Sequence, residues 1–267
     1  MKKYLSFFRL RLLAGLQYRT AALAGMATQF FWGFMEIMIF HAFYKADPEA
    51  YPMTMEATAA YVWLQQALLA FFSAWTFEGE IFETINSGNL AYELCRPIHI
   101  YDMWFARSVA NRLSKAALRC APILIVAAFL PKGYGLGLPA SLPAFLCFLV
   151  SLSLGLLVMV ALNMLVYGSC LYTISGDGIR ILFASLSEFL AGQVIPLPFF
   201  PEKVRQILEL NPWASMGNVP FRIYGGDLGG SKMLQAMALQ AFWLIILTAA
   251  GRLLCAGGEK RAVVQGG

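Results

Sequence analysis

Few residues in this 267-residue chain are of the kinds that do chemistry. The two histidines, His41 and His99, lie in separate regions, and no HExxH, GxSxG or CxxC occurs. Nucleophilic or metal-assisted catalysis needs such groups at close spacing. No catalytic constellation, metal site or cofactor site is therefore indicated. The run Gly225-Gly226-Asp227-Leu228-Gly229-Gly230-Ser231-Lys232 comes nearest to a phosphate loop. It puts Ser231 at the lysine position of GxxxxGK[ST], and it precedes an apolar run instead of following a strand. The chain is predicted to have no Walker-type ATP site and not to be an enzyme.

Two carboxylates fall inside apolar runs, Glu36 and Glu188, the latter flanked by Ser185 and Ser187. A carboxylate at mid-bilayer costs about 2.5–3.5 kcal/mol, so each needs a partner or a watery pocket. With Gln193 they are candidates to line a translocation path or to couple to protons. For Glu36 an interhelical hydrogen bond or a protonated acid accounts equally well; for Glu188 a lining or packing role at an interface is the favoured reading. The other polar concentration runs from Glu78 to Pro97, EGEIFETINSGNLAYELCRP, with Glu78, Glu80, Glu83 and Glu93, a Ser-Gly-Asn turn signal and Arg96-Pro97. It is flanked by long apolar runs, and so polar a segment must lie in water.

The elements that position these residues follow from composition. Hydrophobic residues make up 59% of the chain and charged residues 13%. Soluble domains average nearer 45–50% and about 25%, so an all-α integral membrane protein is predicted, with residues 1–267 as a single domain. Six transmembrane spans are expected, at about 21–43, 58–77, 113–130, 142–174, 179–195 and 233–254. The first is too long and begins too late for a cleaved signal peptide. In it, Ala21 and Gly25 have the small-xxx-small spacing that permits close helix approach. The fourth exceeds the roughly twenty residues a bilayer needs, so it must tilt, break or protrude into the cytoplasm, with Gly155, Asn163 and Gly168-Ser169 as candidate weak points. An outer loop with Pro48 and Pro52 joins the first two spans, and Ser175-Gly176-Asp177-Gly178 forms an inner turn.

Residues 2–19 alternate basic and apolar, with Tyr4, Leu5, Phe8 and Leu12 on one helical face; Arg11 breaks the pattern. An interfacial helix on the cytoplasmic surface is expected. From Tyr101 a second amphipathic helix carries Arg107, Asn111, Lys115 and Arg119 on one face, with Ser108 and Arg112 beside them. That face suits an inner vestibule or lipid headgroups, and snorkelling anchors are the simpler reading. Pro196, Pro198 and Pro201 cannot continue a helix. Residues 196–224, with Pro212, therefore read as a re-entrant hairpin dipping into the outer leaflet before the last span. With both termini inside, fourteen Lys and Arg lie in inner segments and six in outer ones, which favours N-in/C-in. The net charge of +5 then faces anionic lipid, and no nucleic-acid motif is present.

Two stretches carry a family resemblance. Ile85-Asn86-Ser87-Gly88-Asn89-Leu90 with Leu94-Cys95-Arg96-Pro97-Ile98 resembles the inner loop of the six-span permease subunit of type-2 ABC exporters, the daunorubicin- and polysaccharide-export kind. Residues Ile195 to Pro201, with Asn211-Pro212, Pro220 and Ile223-Tyr224-Gly225-Gly226, resemble that family's outer hairpin. The resemblance implies a permease in a cell membrane, a bacterial plasma membrane, with separate ABC ATPase subunits docked beneath. It implies pairing with a second permease, a related one in preference to an identical copy. It assigns 78–89 as the cytoplasmic coupling helix, with Glu80, Glu83, Asn86 and Gly88 at the ATPase interface, and Pro196, Pro198, Pro201 and Pro212 in an outer gate. The alternative is a proton-coupled secondary transporter using Glu36 or Glu188; it calls for internal repeats, and none is visible.

Overall fold

The computed structural model describes residues 2–17, 19–47, 51–173 and 176–261, and among these it is helical, without strands. In chain order the helices are α1 (Lys2–Gly15), α2 (Arg19–Ala46), α3 (Met55–Ala67), α4 (Leu69–Phe72), α5 (Gly79–Asn86), α6 (Leu90–Leu94) and α7 (Ile100–Phe129). Then follow α8 (Leu142–Cys170), α9 (Asp177–Leu190), a 3-10 turn (Leu197–Phe199), α10 (Glu202–Glu209), α11 (Asn218–Gly225) and α12 (Gly230–Glu259). Local signals set several starts. The Thr54 hydroxyl accepts from the Ala57 amide at 3.2 Å to open α3, and Ser141 does the same for Ala144 at the head of α8. Both are side-chain oxygens taking up otherwise orphaned first-turn donors.

The core is built round α8, whose most extensive packing is against α12, with α4, α7 and α11 on its other sides. Trp104, Tyr61 and Tyr167 are its largest fully buried rings, and Trp63 centres a second cluster with Ile37, Val62 and Ile123. Helix α8 runs unbroken through Gly155, Asn163 and Gly168-Ser169, so of tilting, breaking and protruding the break does not occur. Gly155 is instead a seat: a Cβ there would collide with the Met216 carbonyl.

Among the described residues three helices are long and apolar enough to cross a membrane, Ala22–Ala46, Leu142–Cys170 and Gly230–Glu259, against six expected spans. The difference has a physical cause in each of the other three. The second expected span breaks at Leu68 and its helix ends at Phe72, so 58–77 is not one rod. Helix α7 is long, but its first two thirds carry Asp102, Arg107, Arg112, Lys115 and Arg119. The fifth, α9, has 14 residues, about 21 Å at 1.5 Å per residue, which is short of a ~30 Å hydrocarbon core. Pro48, Ile174 (the expected end of the fourth span) and Ser175 lie outside the described residues.

The hairpin region folds as the 3-10 turn, α10 and α11 in succession. Pro196, Pro198 and Pro212 are buried and Pro201 is exposed. Pro196 and Pro201 each sit immediately before a helical segment, where the fixed φ is an asset. The lowest point of the turn, Met216, meets α8 at Gly155, while Tyr224 returns to Gly137 and Ala140 ahead of α8. The hairpin therefore reaches about 20 Å along α8.

Candidate functional site

The polar stretch from Glu78 to Pro97 folds as α5, a turn and α6. Helix α5 has two unlike faces. Ile81 and Phe82 are buried, with the Phe82 ring 5.1 Å from Tyr167 of α8 and 4.6 Å from the Arg180 guanidinium. Glu80, Glu83 and Asn86 are exposed along the other edge. Gly88 sits at φ +75° in the turn between α5 and α6, a left-handed conformation that an L side chain resists. Its requirement is thus conformational, which the sequence grouping with Glu80, Glu83 and Asn86 did not separate.

The four carboxylates have four different environments. Glu78 is turned inward: it pairs with Arg107 at 3.2 Å and accepts from Asn111 Nδ2, while its amide donates to Tyr167 Oη at 2.7 Å. Burial pushes its pKa up, with Arg107 and Lys115 opposing. Glu80 bonds Arg107 and also Arg11 of α1 at 3.1 Å. Its partial burial acts upward, but the Arg107 and Arg11 charges and their hydrogen bonds outweigh it, so its carboxyl lies below the usual range. Glu93 accepts from the Trp104 indole at 2.7 Å. Glu83 makes no ion pair among the described residues.

The basic face of α7 is what the sequence misread. Arg107 is 3% exposed and Arg112 1%, so neither snorkels to headgroups nor faces an open vestibule. Arg107 holds the head of α5 through Glu78 and Glu80. Arg112, a little over a turn on, donates to the carbonyls of Ala70, Phe71, Ser73 and Thr76, with five hydrogen bonds of 2.7–3.1 Å. Those are the carbonyls left open where α4 stops. A guanidinium with its fan of donors is the side chain that can satisfy a cluster of them at once. Asn163 of α8 adds a bond to the Thr76 carbonyl at 3.2 Å. Arg119 lies over Gly25, where a Cβ would stand 2.6 Å from its guanidinium carbon; the small residue makes room for a side chain rather than a helix backbone.

Arg11, the residue that spoiled the pattern of α1, is the one that reaches Glu80. Tyr4, Phe8 and Leu12 do turn inward, whereas Leu5 is 69% exposed. Helix α1 packs along α7, and the Tyr4 hydroxyl accepts from the His99 amide at 3.2 Å.

The remaining predicted residues separate into two places. Glu36 faces Gln66 of α3 at 3.4 Å, at the limit of a hydrogen bond. Glu188 accepts from the Trp75 indole, and Gln193 donates to the Phe72 carbonyl at 2.8 Å while its own carbonyl accepts from Gln65 at 2.7 Å. Glu188 and Gln193 thus meet the α4 end that Arg112 holds from the other side; Glu36 lies apart from them. Gln65, Gln193, Tyr61 and Asn218 line a cavity of about 20 Å³, room for about one water molecule and not for a transported solute.

A family model described as ABC-2 family transporter protein matches residues 30–263. The chain belongs to the ABC-2 transporter family. It is accordingly a multi-pass integral membrane protein and a transport component, the permease kind of subunit, and membership implies ABC ATPase partners. No curated protein matches the chain. Within this ABC-2 permease the acidic α5 and its α7 clamp, and the α9–α11 hairpin, are the two places where polar chemistry concentrates.

Proposed function

We propose that the chain is the membrane subunit of an ATP-driven exporter and that α5 is the element through which a separate ATPase acts on it. On this reading it spans the membrane six times with both termini inside. The spans then include α3–α4, an interrupted rod buried on most sides, the second half of α7, and α9, which leaves Ile181, Leu182, Leu186 and Phe189 exposed. Backbone that is not helical at membrane depth is tolerated where protein covers it. Two permeases pair, a related partner being favoured over an identical copy, and two ATPases dock beneath them. The α9–α11 hairpin, with Pro196, Pro198, Pro201 and Pro212, acts as the outer gate. Glu188 and Gln193 border the path beside it, and Glu36 contributes from α2.

The observation that carries the reading is the division of α5. One face is sealed against α8 and α7 by Ile81, Phe82 and Glu78. The other presents Glu83 and Asn86, exposed and without an ion pair among the described residues, beside Glu80, which is exposed but bonded to Arg11 and Arg107. Because Glu80 is bonded to Arg11 and Arg107, its reversal would disturb the permease itself. Glu83 and Asn86 are the clean probes. Affinity capture of the tagged chain from its native membranes should bring down an ATPase bearing GxxxxGK[ST]. Glu83→Lys combined with Asn86→Lys should lower that recovery at least about tenfold, as expected where opposed like charges cost several kcal/mol at an interface. Unchanged recovery would remove this edge from the interface.

A further inference from the structure

Arg107, Asn111 and Arg112 lie within six positions of one helix and grip both ends of a single short connector. Arg107 and Asn111 hold Glu78, at the head of α5; Arg112 holds the carbonyls of residues 70–76, at the tail of α4. We propose that Arg112 is a positioning residue of the coupling step: it makes the end of α4 move with α5, so that displacement of α5 reaches the outer hairpin. This rests on the docking of α5 to an ATPase proposed above.

The route onward is continuous. The Phe72 carbonyl accepts from Gln193, and Gln65 donates to the Gln193 carbonyl. The Phe72 and Tyr61 rings meet Phe221 of α11 edge to face at 5.7 and 5.2 Å. The hairpin is thus bonded to the segment that Arg112 holds, not to α5 itself. Without the guanidinium the 73–77 connector has no helical hydrogen-bond ladder to transmit a push, since it is extended or turn in conformation. Asn163 alone would reach only the Thr76 carbonyl. A purely local role, satisfying orphaned carbonyls, would need the same bonds but would not link the response of two distant segments. Lysine at this position would keep the charge but bring three donors in place of five.

Hydrogen exchange read by mass spectrometry on the permease–ATPase complex in lipid nanodiscs, with and without ATP plus vanadate, separates the two roles. In the parent complex, nucleotide trapping should change exchange both at 79–86 and at 191–217. In Arg112→Gln, exchange at 71–76 should rise roughly tenfold or more, as expected for lost hydrogen bonds to a charged donor. The change at 79–86 should persist and that at 191–217 should vanish. Arg112→Lys should show an intermediate change at 191–217. Either variant giving the parent's response at 191–217 overturns the proposal. So does loss of the response at 79–86 in an Arg112→Gln complex that still elutes as a single species. If Arg112→Gln does not assemble, Arg112→Lys decides by the same comparison. No protection of 79–86 by the ATPase in the parent would instead sink the docking reading, and the proposal with it.

Discussion

Where α4 ends, the open carbonyls of residues 70–76 meet a guanidinium; where the 196–224 hairpin turns, the carbonyl of Ser215 meets a carboxamide. Gln240 of α12, fully buried, donates to the carbonyls of Ser151 and Ser215 at 3.1 and 2.6 Å and accepts from the Ser151 hydroxyl at 2.9 Å. Asn211 works in the same way within the hairpin, donating to Leu208 and accepting from Ala214. Both regions must satisfy non-helical backbone away from water, which costs several kcal/mol per group if it fails. The α4 end uses charge and the hairpin uses neutral amides. A charge is tolerable where carboxylates stand near: Glu78 and Glu80 lie at the head of α5, just beyond the connector, paired with Arg107 on the adjoining turn of α7. The hairpin turn sits against the middle of α8 and is held there by amides; the hairpin's own charges, Arg222 with Glu209 and Asp227, pair with one another instead of capping its backbone. Bonds from a charged donor are the stronger, and beside Arg112 the groups that titrate are the carboxylates Glu78 and Glu80, since a guanidinium keeps its charge.

The largest way to break that contrast is Arg107→Leu. It strands Glu78 in a half-sealed site, and loss of one partner of a buried pair costs about 3–5 kcal/mol. Thermal unfolding of the detergent-solubilised chain should show a marked fall, accompanied by loosening of α5. Gln240→Leu should cost less, about 1–2 kcal/mol, in keeping with the modest worth of interhelical hydrogen bonds in membranes and the penalty for the Ser215 carbonyl left behind. Its melting shift should be the same at pH 7 and in mild acid.

The smallest effect is the pH dependence that separates the two regions. Glu80 has its folded pKa lowered, so its contribution is present above the ordinary carboxylate pKa and is lost as pH falls through the folded value. Glu78, raised by burial, has the opposite sign: neutralising it favours the folded state, and that benefit is lost as pH rises through its folded value. The melting difference between the parent and Glu80→Gln should be small and positive at pH 7, because the pair is largely exposed and screened, and should close below the carboxylate range. The difference between the parent and Glu78→Gln should move the other way. A Gln240 variant that behaved like either would erase the distinction.

Much of this was legible from residue types. The apolar runs that become α2, α8 and α12 stand out by length alone, and the prolines at 196 and 201 mark helix starts as proline chemistry requires. The 3.6-residue period placed Arg107 and Asn111 on one face of α7 and Arg112 close beside it. What that face meets was hidden, because the break at Leu68 has no glycine or proline to announce it, and without the break there are no open carbonyls for Arg112 to bind. Arg11 carried a signal that was legible but read as noise: a charge on the apolar face of an amphipathic helix calls for a buried or nearby partner, and Glu80 is that partner. The seating of Met216 on Gly155 pairs residues far apart in the chain and could not be read from local pattern.

Site-specific photo-crosslinking from α5 tests the central claim most directly. A photoreactive side chain at position 83, introduced into the tagged permease in its native membranes, should crosslink to a polypeptide bearing GxxxxGK[ST]; one at position 82, on the sealed face, should crosslink only within the chain. Crosslinks to the ATPase from 82 and not from 83, or from neither, would contradict the assignment of this edge as the place where the motor engages the permease.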